Sequence, residues 1–347
     1  MTAKKLFNRC TRPDTLREVL WVVLLPCSFF WALGAWLRVI VGNRSGVYRA
    51  KGKTICVGNI HAGGSGKTPL VIEIARNLGE QRCRVVTRGY RGRKRRGSVE
   101  LDRRNSEGVL DYGDEAWMLG CQLASKIFVG SDRVGSLRAI DAQGFSGYVI
   151  MDDGLQDASF EKDVRLCVIS AARNPEDGFL LPLGDGRSNF SEIRKCDAVI
   201  ITGLEAEAKV GGWHAFIERH FPDMPVYLAC RNVLGLWDGL RWADRVSEPV
   251  LAFSGIGLWE SFAADVGKLA KIARLQVFSN HMNYSTKHAA WLRKAADEFH
   301  LKTLITTEKD RVKIEPLLRG FGLQLLSLRI TYDLERGFWQ FLRKKLA

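Results

Sequence analysis

ICVGNIHAGGSGKTPLVIEIARNLG, residues 55–79, joins an apolar run, a glycine-rich turn and a segment whose apolar residues have helical spacing. A strand, such a turn and a helix in this order let backbone N–H groups and a helix N-terminus surround phosphate oxygens. In this pattern Lys67 reaches the outer phosphates and Thr68 holds Mg²⁺. We therefore predict a nucleotide-binding P-loop, the alternative being an ordinary glycine-rich turn before a helix.

The loop departs from the strict pattern G-x-x-x-x-G-K-[ST] at its first glycine, where this chain has His61. Gly63 and Gly64 can supply the permissive backbone instead. Pro69 is tolerated because it falls in the first turn of the following helix. The residues predicted to contact the nucleotide are Ala62, Gly63, Gly64, Ser65, Gly66, Lys67, Thr68 and Pro69.

Apolar runs alternate with helical patterns from residue 54 onward, which predicts an α/β protein whose parallel sheet is covered on both faces. Strands are predicted at 54–57, 83–87, 126–129, 148–151, 166–169, 198–201, 250–253, 275–278 and 303–306, and helices at 68–78, 114–123, 259–272 and 286–299. We predict an N-terminal membrane-associated helix within residues 1–45, a P-loop NTPase-like domain at 46–222 and a second, smaller α/β domain at 250–347. Residues 223–249 are irregular and turn-rich, and we predict a linker or hinge there.

Two acidic pairs are candidate metal-binding or catalytic residues. YVIMDDGLQD, residues 148–157, is an apolar strand ending in Asp152 and Asp153, and such strand ends lie over the same crevice as a P-loop. We predict that this pair binds magnesium, the alternative being two turn aspartates that close a strand. Asp114 and Glu115 follow a glycine and open a predicted helix, where acidic residues are also favoured simply as caps.

Two further motifs follow predicted strands in the second half of the chain. VFSNHMNYS contains His281, and a lone histidine is more often structural than catalytic. In LITTEKDRVKI, residues 304–314, either Thr306 or Thr307 is a suitable cap for a short helix. We interpret the charged residues that follow these threonines as exposed surface residues.

The composition indicates an anionic partner. The 347 residues carry a formal net charge of +14, which suits nucleic acid, anionic lipid or a phosphorylated substrate. We expect no nucleic-acid partner, because the sequence shows no helix-turn-helix, RNA-recognition aromatics or zinc-binding frame. The eight cysteines lack zinc spacing and are expected to be thiols in a reducing compartment.

The segment VLWVVLLPCSFFWALGAWL, residues 19–37, carries no charge and is about as long as a membrane span. Pro26 and Gly34 interrupt it, and basic residues on both sides leave its orientation open. We favour an apolar helix lying in the membrane interface, with its flanking cations on lipid phosphates. A true span and a buried core helix remain alternatives, and a cleaved secretory signal is disfavoured.

The motifs VGNIHAGGSGKTPL, TRGYRG, GDE, MDDGLQD, LAFSGIG, FSNH and TTEKDRVK, in this order, resemble those of the tetraacyldisaccharide 4'-kinases, the lipid A 4'-kinases of Gram-negative envelopes. The resemblance extends over about residues 20–314. It implies that the protein lies on the cytoplasmic face of the inner membrane. Its N-terminal hydrophobic helix would attach it there, either peripherally or as a single membrane helix. The resemblance also implies two α/β domains joined by a hinge, with ATP and lipid meeting in the cleft between them. The family tolerates a residue other than glycine at position 61.

The resemblance implies transfer of the ATP γ-phosphoryl group to the 4'-hydroxyl of a tetraacyldisaccharide 1-phosphate, giving lipid IVA. Lys67 and Thr68 would bind the phosphates and Mg²⁺, and Asp152 and Asp153 would serve Mg-nucleotide binding and catalysis. Asp114 matches the general base, His281 its partner, and Glu115 the same acidic motif. A positioned carboxylate suits this reaction because a sugar hydroxyl is a poor nucleophile.

A cluster of cations follows the second predicted strand. Residues 88–96 read RGYRGRKRR. Arg91, Arg93, Lys94, Arg95 and Arg96 are candidates to meet anionic lipid headgroups or the acceptor's 1-phosphate. A solvated loop is an equally simple interpretation.

The sequence departs from the family pattern near the acceptor. Asp157 stands where the family usually has histidine, Leu155 replaces a larger aromatic residue, and Asn280 replaces an acid before His281. Because a neutral amide holds an imidazolium less strongly than a carboxylate does, the orientation of His281 is in question. Residues 181–189, LPLGDGRSN, also differ from the family segment that bears on the substrate side.

A P-loop ATPase or GTPase that acts as a switch or maturation factor is the runner-up. A GTPase would need a base-reading motif such as N-K-x-D after a later strand. The corresponding segment, DAVIITGLEAEAK at residues 197–209, has none, which disfavours that alternative.

Deletion of residues 1–40 tests the predicted membrane helix. We expect the truncated protein to leave the membrane fraction because the apolar segment and its flanking cations are gone. Sedimentation of cell membranes, followed by immunoblotting of pellet and supernatant, measures this. Continued tight membrane association would locate the anchor elsewhere.

Overall fold

The computed structural model describes residues 46–61, 65–173, 175, 190–204, 210–280 and 282–347. Its strands in these ranges are β1 (Lys53–Gly58), β2 (Cys83–Thr87), β3 (Val99–Glu100), β4 (Lys126–Val129), β5 (Tyr148–Asp152), β6 (Val164–Ser170), β7 (Ala198–Leu204), β8 (Val226–Trp237), β9 (Trp242–Ala243), β10 (Val246–Ser254), β11 (Ala270–Val277), β12 (Thr303–Thr307) and β13 (Gln324–Leu334). Its α-helices there are α1 (Lys67–Leu78), α2 (Gly108–Tyr112), α3 (Asp114–Gln122), α4 (Arg133–Ala142), α5 (Val210–His220), α6 (Trp259–Leu269), α7 (Thr286–Glu298), α8 (Glu308–Leu318) and α9 (Arg336–Leu346).

All of these strands belong to one large, mainly parallel sheet, which confirms the predicted α/β class. The strand order is β11-β10-β12-β13-β8-β7-β6-β1-β5-β2-β4-β3, and β9 pairs with β8. Antiparallel pairing occurs between β3 and β4, between β8 and β9, and between β8 and β13. The parallel strands are buried runs of apolar residues, because helices cover both of their faces.

Strand β8 joins two halves of the sheet that run in opposite directions. Its first residues pair in parallel with β7, where Leu204 lies beside Cys230. Its later residues pair antiparallel with β13, where Leu236 lies beside Leu328, and Leu328 in turn lies beside Thr307 at the end of β12. The carboxyl ends of the two halves therefore face each other across a cleft spanned by about six residues of β8, or roughly 20 Å.

Each predicted strand overlaps an observed one, but two predictions about the second half were wrong. The segment 223–249 was interpreted as irregular, yet it contains β8, β9 and the start of β10. Helix α6 ends at Leu269, and residues predicted to continue it form the start of β11. In both places pairing with a distant strand overrides the local pattern. The limits of the predicted domains stay a prediction.

The last helix returns to the first half of the molecule. Phe338, Leu342 and Leu346 of α9 are buried in the same apolar cluster as Ile55 of β1 and Leu70 of α1. The chain thus crosses the cleft twice, once in β8 and once in β13. The P-loop half is completed by the C-terminal residues of the chain.

The predicted N-terminal helix at residues 1–45 lies outside the described residues. In the part of the chain that the structure does describe, no helix combines the length and apolar character needed to cross a bilayer.

Phe338→Ala tests the packing of α9 on the P-loop half. Phe338 is fully buried beside Tyr227, with 5.5 Å between the ring centroids. We expect the free energy of unfolding to fall by about 3–5 kcal/mol, because the substitution removes a buried ring and leaves a cavity. Urea denaturation followed by circular dichroism measures the change. Gln340→Ala, on the exposed face of the same helix, is the control and should leave the midpoint unchanged.

Candidate functional site

The described residues Ser65 and Gly66 form the turn that leads into α1. Gly66 has a φ of 76°, and a Cβ placed there would lie 2.2 Å from the hydroxyl oxygen of Tyr332, so only glycine fits. The Thr202 Oγ1 donates to the carbonyl of Ser65 at 2.8 Å, and Asn59 Nδ2 donates to its Oγ at 3.0 Å. The first N–H groups of α1 have neither a side-chain cap nor an acidic neighbour in the first turn, which suits a bound phosphate.

His61, which replaces the expected glycine, packs into an aromatic cluster. It is 3% exposed, and its ring centroid lies 6.0 Å from that of Phe190 and 5.7 Å from that of Trp213. Burial lowers the pKa of His61 to about 4, and the nearby charge of Arg173 lowers it further. The imidazole is neutral at pH 7 and helps to pack the entry of the loop.

Lys67, the first residue of α1, meets Asp153 at the end of β5. The distance from Lys67 Nζ to Asp153 Oδ1 is 3.5 Å. Asp153 has a φ of 58°, a left-handed conformation that aspartate tolerates better than most residues, and its N–H donates to the carbonyl of Val57 at 2.8 Å. The pairing of β5 with β1 therefore continues to Asp153 and brings the acidic pair to the P-loop, as the sequence indicated.

Asp152 is a buried carboxylate with an unsatisfied oxygen. It is 4% exposed; its Oδ2 accepts from Thr87 Oγ1 at 3.0 Å, whereas its Oδ1 has no hydrogen-bond partner among the described residues. Burial raises the pKa of Asp152 to about 7; the charge of Glu115 raises it further, and that of Lys67 lowers it. A cation would offset this cost, so the carboxylate suits Mg²⁺.

The metal ligands predicted from the sequence are Thr68, Asp152, Asp153 and Glu115. Thr68 and Pro69 are the second and third residues of α1, next to Lys67. Among the described residues, no group of three or more His, Cys, Asp or Glu side chains could hold a metal by itself. Mg²⁺ commonly takes one or two carboxylates and completes its shell with water and substrate phosphates, and these side chains fit that arrangement.

Arg133, at the start of α4, holds the backbone of the acidic pair. Its guanidinium donates to the carbonyl oxygens of Asp152 at 3.3 Å and Asp153 at 2.6 Å, and lies 3.4 Å from Asp157 Oδ2. The unusual Asp157 is thus the ionic partner of a buried arginine. Arg133 was not among the predicted site residues, because its partners are brought to it by the fold and no local pattern marks it.

The turn before Asp114 packs against the basic loop. Gly113 has a φ of 87°, and a Cβ there would lie 2.4 Å from the carbonyl oxygen of Tyr90. Lys94 pairs with Asp111, with 2.9 Å from Nζ to Oδ2. The structure therefore brings the TRGYRG and GDE motifs together, with Asp114 at the N-terminus of α3.

Most of the basic loop faces solvent. Arg93 pairs with Glu107 at 2.9 Å, and both side chains are exposed. Arg95 and Arg96 are also exposed, and neither has an ion pair within the described part of the chain. The role of the loop stays a prediction.

Helix α8 brings charged residues from the second half to the acidic motif of the first half. Lys309 Nζ lies 2.7 Å from Glu115 Oε1 and 4.0 Å from Asp114 Oδ2, and Lys313 Nζ lies 3.8 Å from the same Asp114 oxygen. Thr307 caps the helix by accepting from the N–H of Asp310 at 3.1 Å. The interpretation of these charges as a surface feature was wrong, because Asp310 is fully buried and Lys313 nearly so.

Some predicted site residues lie outside the described residues: Ala62, Gly63 and Gly64 of the loop, and His281. Their neighbours are described. Ser65 and Gly66 complete the turn into α1, and Asn280 lies with its Nδ2 3.7 Å from the position of a Cβ on Gly257. The roles suggested for all of these residues stay predictions.

Known proteins resemble this chain over most of its length. The family model described as tetraacyldisaccharide-1-P 4'-kinase matches residues 20–347. A tetraacyldisaccharide 4'-kinase of Syntrophobacter fumaroxidans is 33% identical over 276 residues, which cover 76% of this chain and 72% of that protein. Proteins of the same name are 32% identical in Rhodopseudomonas palustris, covering 84% of each chain, and 31% identical in Nitrobacter hamburgensis, covering 97% of this chain and 96% of the relative.

A solved structure shares the fold. The crystal structure of LpxK from Aquifex aeolicus in complex with ATP superposes with a TM-score of 0.73, covering 96% of this chain and 100% of that one. The sequence identity is 23%, so this similarity supports the fold alone.

Lys67→Ala tests the phosphate-binding geometry. We expect ATP with Mg²⁺ to bind about 10-fold to 100-fold more weakly, because a hydrogen bond to a charged group contributes about 1.5–3 kcal/mol. Isothermal titration calorimetry measures the affinity. Lys126→Ala, which removes an exposed lysine from β4, is the control. Unchanged affinity in a folded Lys67→Ala protein would show that the lysine does not hold phosphate.

Proposed function

This chain belongs to the tetraacyldisaccharide-1-P 4'-kinase family, and on that basis we propose that it transfers the γ-phosphoryl group of ATP to the 4'-hydroxyl of a tetraacyldisaccharide 1-phosphate. The product would be lipid IVA, in the biosynthesis of lipid A. The observation that carries the proposal is the meeting of Lys67 and Asp153 beside an uncapped helix N-terminus. The alternative of a P-loop switch has no observation in its favour.

The P-loop half would bind the ATP phosphates. The N–H groups at the start of α1 and the Lys67 ammonium offer hydrogen bonds to phosphate oxygens, and their positive charge favours polyphosphate. Mg²⁺, held with the nucleotide by Thr68, Asp152, Asp153 and Glu115, would neutralise charge on the phosphate being transferred. The unsatisfied Oδ1 of Asp152 supports this assignment.

Asp114 is the residue we assign as the general base. A sugar hydroxyl attacks phosphorus as its proton passes to a positioned carboxylate, which typically contributes about 10²–10⁴-fold to the rate. Asp114 opens α3 with its Oδ1 accepting from the N–H of Glu115 at 3.0 Å, so the carboxylate has a defined orientation. Glu115 in turn acts electrostatically on Asp152, which supports a common site for base and nucleotide.

His281 is assigned as the partner that orients Asp114. The assignment rests on the family motif and on the contact of Met282, the residue that follows His281. Met282 accepts a hydrogen bond from Lys313, and Lys313 lies 3.8 Å from Asp114, so the segment carrying His281 runs close to the proposed base.

We assign the protein to the cytoplasmic face of the bacterial inner membrane, attached by the apolar helix predicted within residues 1–45. The acceptor is a lipid, so the site must lie near a bilayer surface. The net charge of +14 and the exposed cations Arg95 and Arg96 support attraction to anionic headgroups or to the 1-phosphate of the acceptor. Two α/β domains joined by a hinge that includes β8 would let the cleft open for the lipid.

Incubation of the full chain with Mg-ATP and tetraacyldisaccharide 1-phosphate, followed by mass spectrometry of the lipid, tests the function. We expect the lipid to gain one phosphate. Asp114→Asn should lower the rate by about 10²–10⁴-fold, because the amide cannot accept the proton. Glu218→Gln, an exposed change on α5, is the control. An unphosphorylated lipid with the unaltered protein would refute the proposal, and full activity of Asp114→Asn would remove Asp114 as the base.

A further inference from the structure

Lys313 is a buried lysine that the proposed chemistry does not yet use. Its side chain is 6% exposed, and its ammonium lies between two carboxylates, 3.0 Å from Asp310 Oδ1 and 3.8 Å from Asp114 Oδ2. The same ammonium donates to the carbonyl oxygen of Met282 at 3.0 Å and lies 5.4 Å from the ring centroid of Tyr284. One cation therefore contacts α8, the start of α3 and the segment after residue 281.

The ion pair with Asp310 does not by itself explain why Lys313 also lies near Asp114. Its Oδ2 accepts from the N–H of Gly255 at 2.7 Å and from Thr307 Oγ1 at 2.9 Å, which ties α8 to the end of β10 within the second half. The contact of Lys313 with Asp114, by contrast, crosses the cleft between the two halves. Removing a lysine from water is costly unless its charge is paired, so the ammonium favours a closed arrangement in which both carboxylates surround it.

We propose that Lys313 is a positioning residue for phosphoryl transfer, which holds the Asp114 carboxylate and the segment following residue 281 in one arrangement. The proposal rests on the proposed function, because it assigns a role in that reaction. Lys313 has no contact with the P-loop among its hydrogen bonds and ion pairs in the described residues, so its effect should fall on the chemical step and leave ATP binding intact.

The neighbouring Lys309 contributes to the same docking of α8 on α3. It pairs with Glu115, while Gln122 Nε2 at the far end of α3 donates to Glu308 Oε2 at 2.8 Å. These contacts hold the two helices together over the length of α3. Lys313 differs from them because its ammonium reaches both the proposed base and the backbone beside residue 281.

The test compares Lys313→Met with Lys313→Met/Asp310→Asn in the full chain. Methionine keeps the length of the side chain and removes its charge, but it leaves Asp310 as an unpaired buried carboxylate. The added Asp310→Asn removes that charge and keeps a carbonyl oxygen for the N–H of Gly255. The double variant therefore separates the stability of α8 from the positioning of Asp114.

We expect both variants to show a kcat about 10-fold to 100-fold lower in the lipid phosphorylation assay, because misplacing a reacting group by about 1 Å lowers the rate on the order of 100-fold. The KM for ATP should change by less than about 3-fold. Lys313→Arg should recover part of kcat, since it restores a cation at this position. Lys268→Met is the matched control. Lys268 also pairs with an aspartate three residues earlier, at 3.1 Å from Asp265, but its side chain is 72% exposed.

The outcomes separate this proposal from the proposed function. An active unaltered protein together with a folded double variant of normal kcat would overturn the role of Lys313 and leave the kinase assignment standing. Loss of folding in both variants would assign Lys313 to stability and also overturn the proposal. Absence of lipid phosphorylation by the unaltered protein would refute the kinase function, and the positioning role with it.

Discussion

The double pairing of β8 is the constraint on which the site depends. By pairing in parallel with β7 and antiparallel with β13, this strand reverses the direction of the sheet. Groups that follow parallel strands collect at their carboxyl ends, and the reversal makes the two sets of carboxyl ends face each other. Asp114 and Glu115 on one side thus meet Lys309 and Lys313 on the other.

The cleft concentrates charges that are costly to bury. Four carboxylates, those of Asp114, Glu115, Asp152 and Asp153, lie near the ammonium groups of Lys67, Lys309 and Lys313. Burial raises the pKa of Asp152 to about 7, and its Oδ1 has no hydrogen-bond partner among the described residues. A polyphosphate adds further negative charge, so a divalent cation is the physical complement of the arrangement.

The second half of the chain also supports the P-loop directly. Tyr332 of β13 packs against Gly66, and the hydroxyl of Thr331 donates to Glu73 on α1. The last helix, α9, adds buried residues to the same apolar cluster as α1. Strand β13 therefore contacts both the strand that spans the cleft and the helix that starts at the phosphate loop.

Features that depend on residues close together in the chain could be predicted from the sequence. Apolar strands, a glycine-rich turn and an acidic pair after a strand each depend on near neighbours, so β2, β4, the phosphate loop and the approach of Asp153 to Lys67 followed from pattern alone. The strand β8, the packing of His61, the clamp by Arg133 and the burial of Lys313 emerged only in the tertiary structure. Their environments come from residues far away in the chain, and a charge or a turn-rich segment looks the same locally whether it is solvated or enclosed by a distant strand or helix.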